Sequence, residues 1–248
     1  MIFVFPNAGA IAAHVSDILI EKISSNPEVV LGLATGGTME PVYSSFIQKA
    51  IKQQLDVSRL TSFNLDEYLG LHPSHHQSYS WYMHHHLFQH LPFNLKNCHV
   101  PSGIVDDPNN YCNSYSDAIQ KAGGIELQLL GVGSNGHIGF NEPGTAFDST
   151  CHVVELSPQT RIDNSRFFES GELVPDRALT MGMQDIMQAR EIILIATGRQ
   201  KAAAMALFVD NGVTTDVPFT ILKKHNNAKI LLDEEAAMLL SSHQYQYA

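Results

Sequence analysis

Short apolar runs alternate with segments of helical periodicity along the whole chain. Runs of four to six apolar residues are typical of buried parallel strands, and apolar positions three or four residues apart are typical of helices. The runs predict strands at residues 2–5, 29–34, 60–65, 98–100, 126–130, 152–156, 178–181, 191–196 and 228–232. The periodicity predicts helices at residues 8–24, 40–54, 78–90, 109–121, 182–188, 199–209 and 233–240, and residues 157–175 are mixed.

Strands that alternate with helices in this way predict an α/β fold with a doubly wound, mainly parallel sheet flanked by helices, similar to a modified Rossmann fold. The sequence contains no internal repeat, linker or low-complexity tract. A chain of 248 residues is long enough to bury one large core. We therefore predict that residues 1–248 form a single domain.

Composition narrows the classes of partner. The formal net charge is −10, and no block of basic residues interrupts the acidic sequence. Nucleic acid and anionic membranes are therefore not expected as partners. No apolar run reaches the roughly 18 residues that a transmembrane helix needs. The three cysteines, Cys98, Cys112 and Cys151, are widely spaced and odd in number, which favours a reducing, cytoplasmic location without a disulfide framework.

The densest polar chemistry follows the predicted strand 126–130. Four glycines fall within residues 131–139, and glycine lets the backbone turn sharply and approach a ligand closely. One imidazole, His137, and one carboxylate, Glu142, lie in the same segment. A loop after a buried strand is where an open α/β sheet binds its ligand, so we predict a ligand site here. A plain glycine-rich surface turn is the alternative.

A dinucleotide site is a second alternative for this segment. Residues 131–136 spell G-x-G-x-x-G after a strand, and Glu155 lies about twenty residues further on. That fingerprint requires a helix to begin at its third glycine, so that backbone amides face the pyrophosphate. Gly139 and the Pro-Gly pair at 143–144 leave no room for such a helix. The dinucleotide interpretation is therefore disfavoured.

A second glycine turn and two cations suggest a phosphate site. The strand at 29–34 is followed by Thr35, Gly36, Gly37 and Thr38, and then by a predicted helix. Taken alone, this turn predicts a phosphate site and a plain strand-to-helix turn equally well. Arg166 and Lys201 are isolated cations that alone would be surface charges. Together with the turn they would supply the oriented donors and positive charge that a phosphate needs.

Other titratable residues are open to simpler explanations. Asp66 and Glu67 end the strand at 60–65, where Asp66 could cap a turn and Glu67 could be solvated. Thirteen histidines include the groups 72–76 and 84–86. Adjacent helical residues point about 100° apart, so three in a row cannot converge on one ion. Neither group has an obvious carboxylate or thiolate nearby, and we predict no metal site.

Five motifs resemble, in order, the glucosamine-6-phosphate deaminase family. They are LATGGTMEPVY (33–43), SFNLDEYLGL (62–71), LLGVGSNGHIGFNEPGT (129–145), QTRIDNSRFF (159–168) and ATGRQKA (196–202). The resemblance covers nearly the whole chain. It implies that D-glucosamine 6-phosphate and water are converted to D-fructose 6-phosphate and ammonia.

The resemblance also implies residue roles. His137 would open the sugar ring with Glu142 orienting and charging the imidazole, and Asp66 would be the base that moves the C2 proton to C1. The 6-phosphate would be held by Thr35, Gly36, Gly37, Thr38, Arg166 and Lys201. We expect no metal or organic cofactor, because proton transfers carry every step.

Two departures from other family members change these expectations. Many members have Asp where this chain has Asn135, so the catalytic group has one fewer anion. Some members bind an activating acetylated sugar phosphate through a basic pair, and the matching positions here are His152 and Val154. We therefore expect a monomer or small homo-oligomer without an effector site.

The alternatives that remain open are a galactosamine-6-phosphate deaminase or isomerase, a lactonase acting on 6-phosphogluconolactone, and a sugar-phosphate sensor without catalysis. The F-N-L-D-E-Y and N-G-H-I-G-F-N-E-P runs favour the deaminase over the lactonase. A sensor would usually carry a DNA-reading module, for which the chain has neither length nor basic charge.

Overall fold

A computed structural model describes residues 1–165, 168 and 172–248. The strands are β1 (Ile2–Phe5), β2 (Val30–Leu33), β3 (Thr61–Asn64), β4 (Asp66–Tyr68), β5 (Cys98–His99), β6 (Leu127–Leu130), β7 (His152–Glu155), β8 (Arg177–Thr180), β9 (Glu191–Ala196), β10 (Ala228–Asp233) and β11 (Gln246–Tyr247). The α-helices are α1 (Ala8–Ser25), α2 (Glu40–Gln53), α3 (Tyr79–His86), α4 (Pro108–Lys121), α5 (Pro158–Ser165), α6 (Met183–Met187) and α7 (Ala202–Asp210). Among the described residues, no helix has both the length and the apolar character that crossing a membrane requires.

The main sheet has eight strands in the order β11-β1-β10-β9-β6-β2-β3-β5, and every neighbouring pair is parallel. Its central strands β2, β6 and β9 are buried along their whole length, as their largely apolar sequences predict, with Gln128 and Glu191 as buried polar exceptions. The predicted α/β fold is therefore confirmed. Because the strands are parallel, their carboxyl ends share one edge, and the loops that follow β2, β3, β6 and β9 meet there.

A second, smaller sheet stands apart from the main one. It has the order β4-β8-β7, and both of its pairs are antiparallel. The predicted strands at 152–156 and 178–181 thus belong to this sheet and not to the parallel one. Asp66 and Glu67 do not simply end the preceding strand: after Leu65 the chain leaves β3, and Asp66 pairs with Thr180 in the new sheet. The amide of Met181 donates to the carbonyl of Leu65 at 2.7 Å, which fixes this change of sheet.

The predicted helix at 233–240 is wrong, because residues 234–239 form turns. Asp233 stays in β10, paired with Phe5 of β1. Its carboxylate accepts the amides of Ala236 at 2.8 Å and Gly198 at 3.0 Å, so it caps a turn and a neighbouring loop. The predicted helices at 78–90 and 199–209 are each divided into an α-helix and a 3-10 turn, at Phe88–His90 and Arg199–Lys201.

Gly103 holds a loop tightly against the strand that carries Asp66. A Cβ at this position would lie 2.2 Å from the carbonyl oxygen of Tyr68 and 2.7 Å from that of Leu71. The Gly103 carbonyl also accepts the amide of Gly70 at 2.8 Å. Only a residue without a side chain allows this approach of backbone to backbone.

We predict that Gly103→Ala lowers the free energy of unfolding by roughly 1–3 kcal/mol, because backbone must shift to make room for the methyl group. Urea unfolding of both proteins measures the difference. Gly212→Ala is the matched control, since a Cβ there meets nothing within 4 Å. Equal unfolding midpoints for the two variants would contradict the packing described here.

Candidate active site

A cavity of about 1050 Å³ opens at the carboxyl ends of the parallel strands. This is the position at which open α/β sheets bind ligands, and the volume suits a small molecule. The cavity brings together most of the residues predicted from the sequence. Its walls include Thr35, Gly36, Gly37, Thr38, Asp66, His137 and Lys201.

One end of the cavity has the features of an anion site. The turn at 35–38 joins β2 to α2, and Gly36 adopts a φ of +99°, which favours glycine. Gly37 has no packing reason to lack a side chain, because a Cβ there would meet nothing within 4 Å. Lys201 reaches the cavity from the 3-10 turn after β9, and its Nζ donates to the carbonyl of Val132 at 2.7 Å. Arg166, the other predicted phosphate ligand, lies outside the described residues.

The loop after β6 holds His137 without any helix. The amide of Gly133 donates to the carbonyl of His137 at 2.9 Å, and the amide of Gly136 donates to the carbonyl of Gly133 at 3.1 Å. The imidazole lies directly against Gly133, where a Cβ would be 2.1 Å from Cε1 of the ring. These glycines therefore seat an imidazole, and the helix that a dinucleotide site needs is absent from residues 131–144.

Asn135 stands between His137 and Glu142. Nδ1 of His137 lies 2.7 Å from Oδ1 of Asn135, and Nδ2 of Asn135 donates to Oε2 of Glu142 at 2.8 Å. The direct distance from Nδ1 to Glu142 Oε2 is 4.0 Å. An amide oxygen can only accept, so Nδ1 carries a proton, and Nε2 holds the lone pair of the neutral ring. The group that directly orients the ring is thus Asn135, and Glu142 acts through it.

Glu142 is held from its other side by the start of α5. The hydroxyl of Thr160 donates a short hydrogen bond to Oε1 of Glu142, and the hydroxyl of Ser157 lies 3.4 Å from the same oxygen. Sequence reasoning did not assign a role to either hydroxyl. The signal was present, since Thr160 belongs to the QTRIDNSRFF motif, but nothing in the sequence alone places that motif next to Glu142.

Asp66 presents an almost fully buried carboxylate to the cavity. Its side chain belongs to β4, and only 6% of the residue is exposed. Burial, and next to it the negative charge of Glu67, raise the pKa of Asp66 well above its usual range. Within residues 1–165, 168 and 172–248, no group donates a hydrogen bond to this carboxylate. An unpaired buried carboxylate in a polar cavity has the properties of a general base.

Two expectations about neighbouring residues are wrong. Glu67 is not solvated, because it is 1% exposed and accepts three backbone amides. The first histidine group does have a carboxylate nearby, since Glu172 lies 3.3 Å from His75 and 3.9 Å from His76. Among the described residues, no set of three or more His, Cys, Asp or Glu side chains is arranged to hold a metal ion.

Comparison with known proteins identifies the family of this chain. The sequence model of the family described as glucosamine-6-phosphate isomerases/6-phosphogluconolactonase matches residues 7–231. The chain is 46% identical over 230 residues to the glucosamine-6-phosphate deaminase of Oceanobacillus iheyensis, covering 93% of this chain and 92% of that protein.

Solved structures show the same relationship. A monomeric glucosamine-6-phosphate deaminase superposes with a TM-score of 0.94 at 39% identity, covering 96% of this chain and all of that one. A 6-phosphogluconolactonase from Trypanosoma cruzi, with a TM-score of 0.77, 18% identity and coverage of 97% and 96%, shares the fold. The chain belongs to the glucosamine-6-phosphate isomerase/6-phosphogluconolactonase family.

Proposed function

We propose that this protein is a glucosamine-6-phosphate deaminase, which converts D-glucosamine 6-phosphate and water to D-fructose 6-phosphate and ammonia. The observation that carries the proposal is the meeting of a buried carboxylate, Asp66, and an oriented imidazole, His137, in a cavity with an anion-binding end. The relative with 46% identity bears this name, whereas the lactonases share the fold at below 20% identity.

The imidazole is suited to the first step, opening of the pyranose ring. That step takes a proton from the O1 hydroxyl and returns one to O5, and a group that gains and loses a proton near neutral pH can do both. Asn135 fixes the ring with Nδ1 protonated, so Nε2 is the nitrogen that exchanges the proton. The negative charge of Glu142, whose Oε2 lies 4.0 Å from Nδ1 of His137, stabilises the protonated imidazole.

The buried carboxylate is suited to the second step, isomerisation. Asp66 removes the C2 proton from the open chain, which forms an enolamine, and returns a proton to C1. A raised pKa makes a carboxylate a stronger base, as such a proton abstraction needs. The resulting C2 imine is hydrolysed by water to the ketose and ammonia. The sugar's phosphate would bind at residues 35–38 and Lys201, with Arg166 from outside the described residues.

The C4 epimer is the main competing substrate. A galactosamine-6-phosphate deaminase would use the same loops and differ only in contacts to the C4 hydroxyl. A coupled assay for ammonia release, with glucosamine 6-phosphate and galactosamine 6-phosphate side by side, distinguishes the two. Release of 6-phosphogluconate from its lactone, without ammonia release from either amino sugar, would replace the proposal by the lactonase.

We predict that Asp66→Asn lowers kcat by at least ~10²–10⁴-fold and leaves KM nearly unchanged, because the amide keeps the shape of the side chain and loses the base. Steady-state ammonia release measures both constants. A variant that turns over within tenfold of the wild-type rate would remove Asp66 from the mechanism.

Thermal unfolding is the control for this variant. The folded-state pKa of Asp66 is raised, so its ionised form destabilises the fold, and that cost is relieved as pH falls through the raised pKa. Asp66→Asn should therefore be at least as stable as wild type at pH 8, with the difference shrinking toward acid pH. Asp148→Asn, an exposed site, should show no such trend.

We predict that Lys201→Ala raises KM for glucosamine 6-phosphate roughly 10- to 100-fold, since a charge-assisted bond to phosphate contributes about 1.5–3 kcal/mol. Arg199→Ala is the matched control, because it removes a positive charge from the same turn but does not line the cavity. Unphosphorylated glucosamine should be a very poor wild-type substrate. Equal turnover of glucosamine and its 6-phosphate would refute the phosphate assignment.

We also predict hyperbolic kinetics that N-acetylglucosamine 6-phosphate does not change. The positions matching the basic effector pair are His152 and Val154, and both lie on β7. Nδ1 of His152 is 2.8 Å from the carbonyl oxygen of Thr150, and Val154 packs against the apolar cluster that includes Tyr68 and Phe140. An effector without differential contacts cannot shift a conformational equilibrium. Substrate titrations with and without the acetylated sugar, together with light scattering for the expected monomer or small oligomer, test this. A sigmoidal curve that the acetylated sugar straightens would contradict it.

A further inference from the structure

Glu67 is a buried carboxylate next to Asp66 that the proposed mechanism does not use. It follows Asp66 on β4, and neighbouring strand residues point to opposite faces. Asp66 therefore faces the cavity, and Glu67 points away toward the start of α3. Only 1% of Glu67 is exposed, so its position is fixed by what surrounds it.

Among the described residues, the groups that donate hydrogen bonds to Glu67 are all backbone amides. Oε1 accepts from Tyr68 at 2.9 Å and from Tyr79 at 3.0 Å, and Oε2 accepts from Ser80 at 3.0 Å. Tyr79 and Ser80 are the first two residues of α3, and the hydroxyl of Ser78 accepts the third amide, that of Trp81. A carboxylate and a serine thus satisfy together the amides that a helix start leaves without partners.

These contacts favour the ionised form of Glu67. The three hydrogen bonds described for Glu67 all come from N–H donors, and such donors bind a carboxylate better than a protonated carboxyl group. The helix start adds partial positive charge. Burial raises the pKa of Glu67 to about 7, and the three amides oppose that rise, so the side chain is negative above neutral pH. No cation among the described residues neutralises it.

We propose that Glu67 is a positioning residue for deamination: it ties the strand of Asp66 to the start of α3 and holds a buried negative charge on the residue next to Asp66. The inference rests on the proposed function, since it needs Asp66 as the base. It accounts for a feature that packing alone would not favour, two adjacent buried carboxylates without a counter-ion among the described residues.

Within the described part of the chain, the other titratable groups around Asp66 do not supply such a negative charge. Tyr68, Tyr79 and Tyr115 surround it from β4, α3 and α4, and burial raises the pKa of each phenol, which keeps it neutral. His137 and Lys201 line the same cavity, and any positive charge on them would act in the opposite direction. Glu67 is therefore the group that raises the pKa of Asp66 beyond what burial does.

The sign of the effect on catalysis follows. Asp66 must be ionised to act as a base, so kcat/KM falls as pH falls through its pKa. Glu67→Gln removes the neighbouring charge and lowers that pKa. The acid limb of the kcat/KM profile should therefore move to lower pH by about one unit, within the range that a nearby charge produces. On the alkaline plateau kcat should fall several-fold, because the base is weaker.

Two further variants separate charge from structure. Ser78→Ala removes the other cap of α3 and leaves the carboxylates in place, so its acid limb should coincide with that of wild type. Glu67→Asp keeps the charge but is one methylene too short to reach Tyr79 and Ser80. It should keep the acid limb and lose kcat at least tenfold with little change in KM, because the strand is no longer tied to α3.

The decisive measurement is the pH profile of ammonia release for these proteins, with urea unfolding to match their folded fractions. If the acid limb of Glu67→Gln coincides with that of wild type, the inference is overturned. If the glutamine variant does not fold, an unchanged kcat for Glu67→Asp overturns it instead. Asp66→Asn distinguishes failure of the proposed function from failure of the inference about Glu67. Full activity of that variant refutes the proposed base itself, whereas its inactivity with an unmoved Glu67→Gln limb refutes only the role of Glu67.

Discussion

The structure is organised around a carboxylate that the fold stabilises poorly. Asp66 is almost fully buried and accepts no hydrogen bond from any described residue, and the next residue is a second buried carboxylate. Burying an ionised group without a partner costs several kcal/mol, so a sequence selected only for stability would place an amide or an apolar residue here. The same desolvation that destabilises the ionised Asp66 also makes it a stronger base, because a disfavoured anion takes up a proton more readily.

Keeping such a group in place requires that its strand be held from several sides. β4 leaves the main sheet and pairs with β8, Gly103 packs against its carbonyls, and Glu67 ties it to α3. The same helix carries Tyr82, whose hydroxyl donates to the carbonyl of Gly36 at 2.8 Å. One short helix therefore contacts both the strand of Asp66 and the glycine turn at residues 35–38.

Sequence reasoning reached the parts of this arrangement that depend on local pattern. The parallel strands were predictable because a strand buried on both faces needs an unbroken apolar run, and the loop at 131–144 was predictable because its glycines exclude a helix. The antiparallel β4-β8-β7 sheet was not, since its short strands read like those of the main sheet and their partners are far apart in the chain. The buried position of Glu67 was likewise hidden, because a Glu next to an Asp at a strand end is usually solvated. The helix prediction at 233–240 failed for a similar reason. Acidic residues after an apolar run suggest a helix start, but here the carboxylate of Asp233 caps a turn.

The residues proposed to open the sugar ring contact a part of the chain, residues 157–175, for which the sequence predicted only a mixed segment. His137 is oriented by Asn135, Asn135 is held by Glu142, and Glu142 is held by Thr160 of α5. Gln159, Ile162 and Asn164 of the same helix line the cavity. Because one face of α5 contacts the cavity and Thr160 contacts Glu142, a shift of this helix would be transmitted through three hydrogen bonds to the imidazole. Asn135 makes this transmission geometric, since an amide conveys orientation by its hydrogen bonds but contributes no charge of its own.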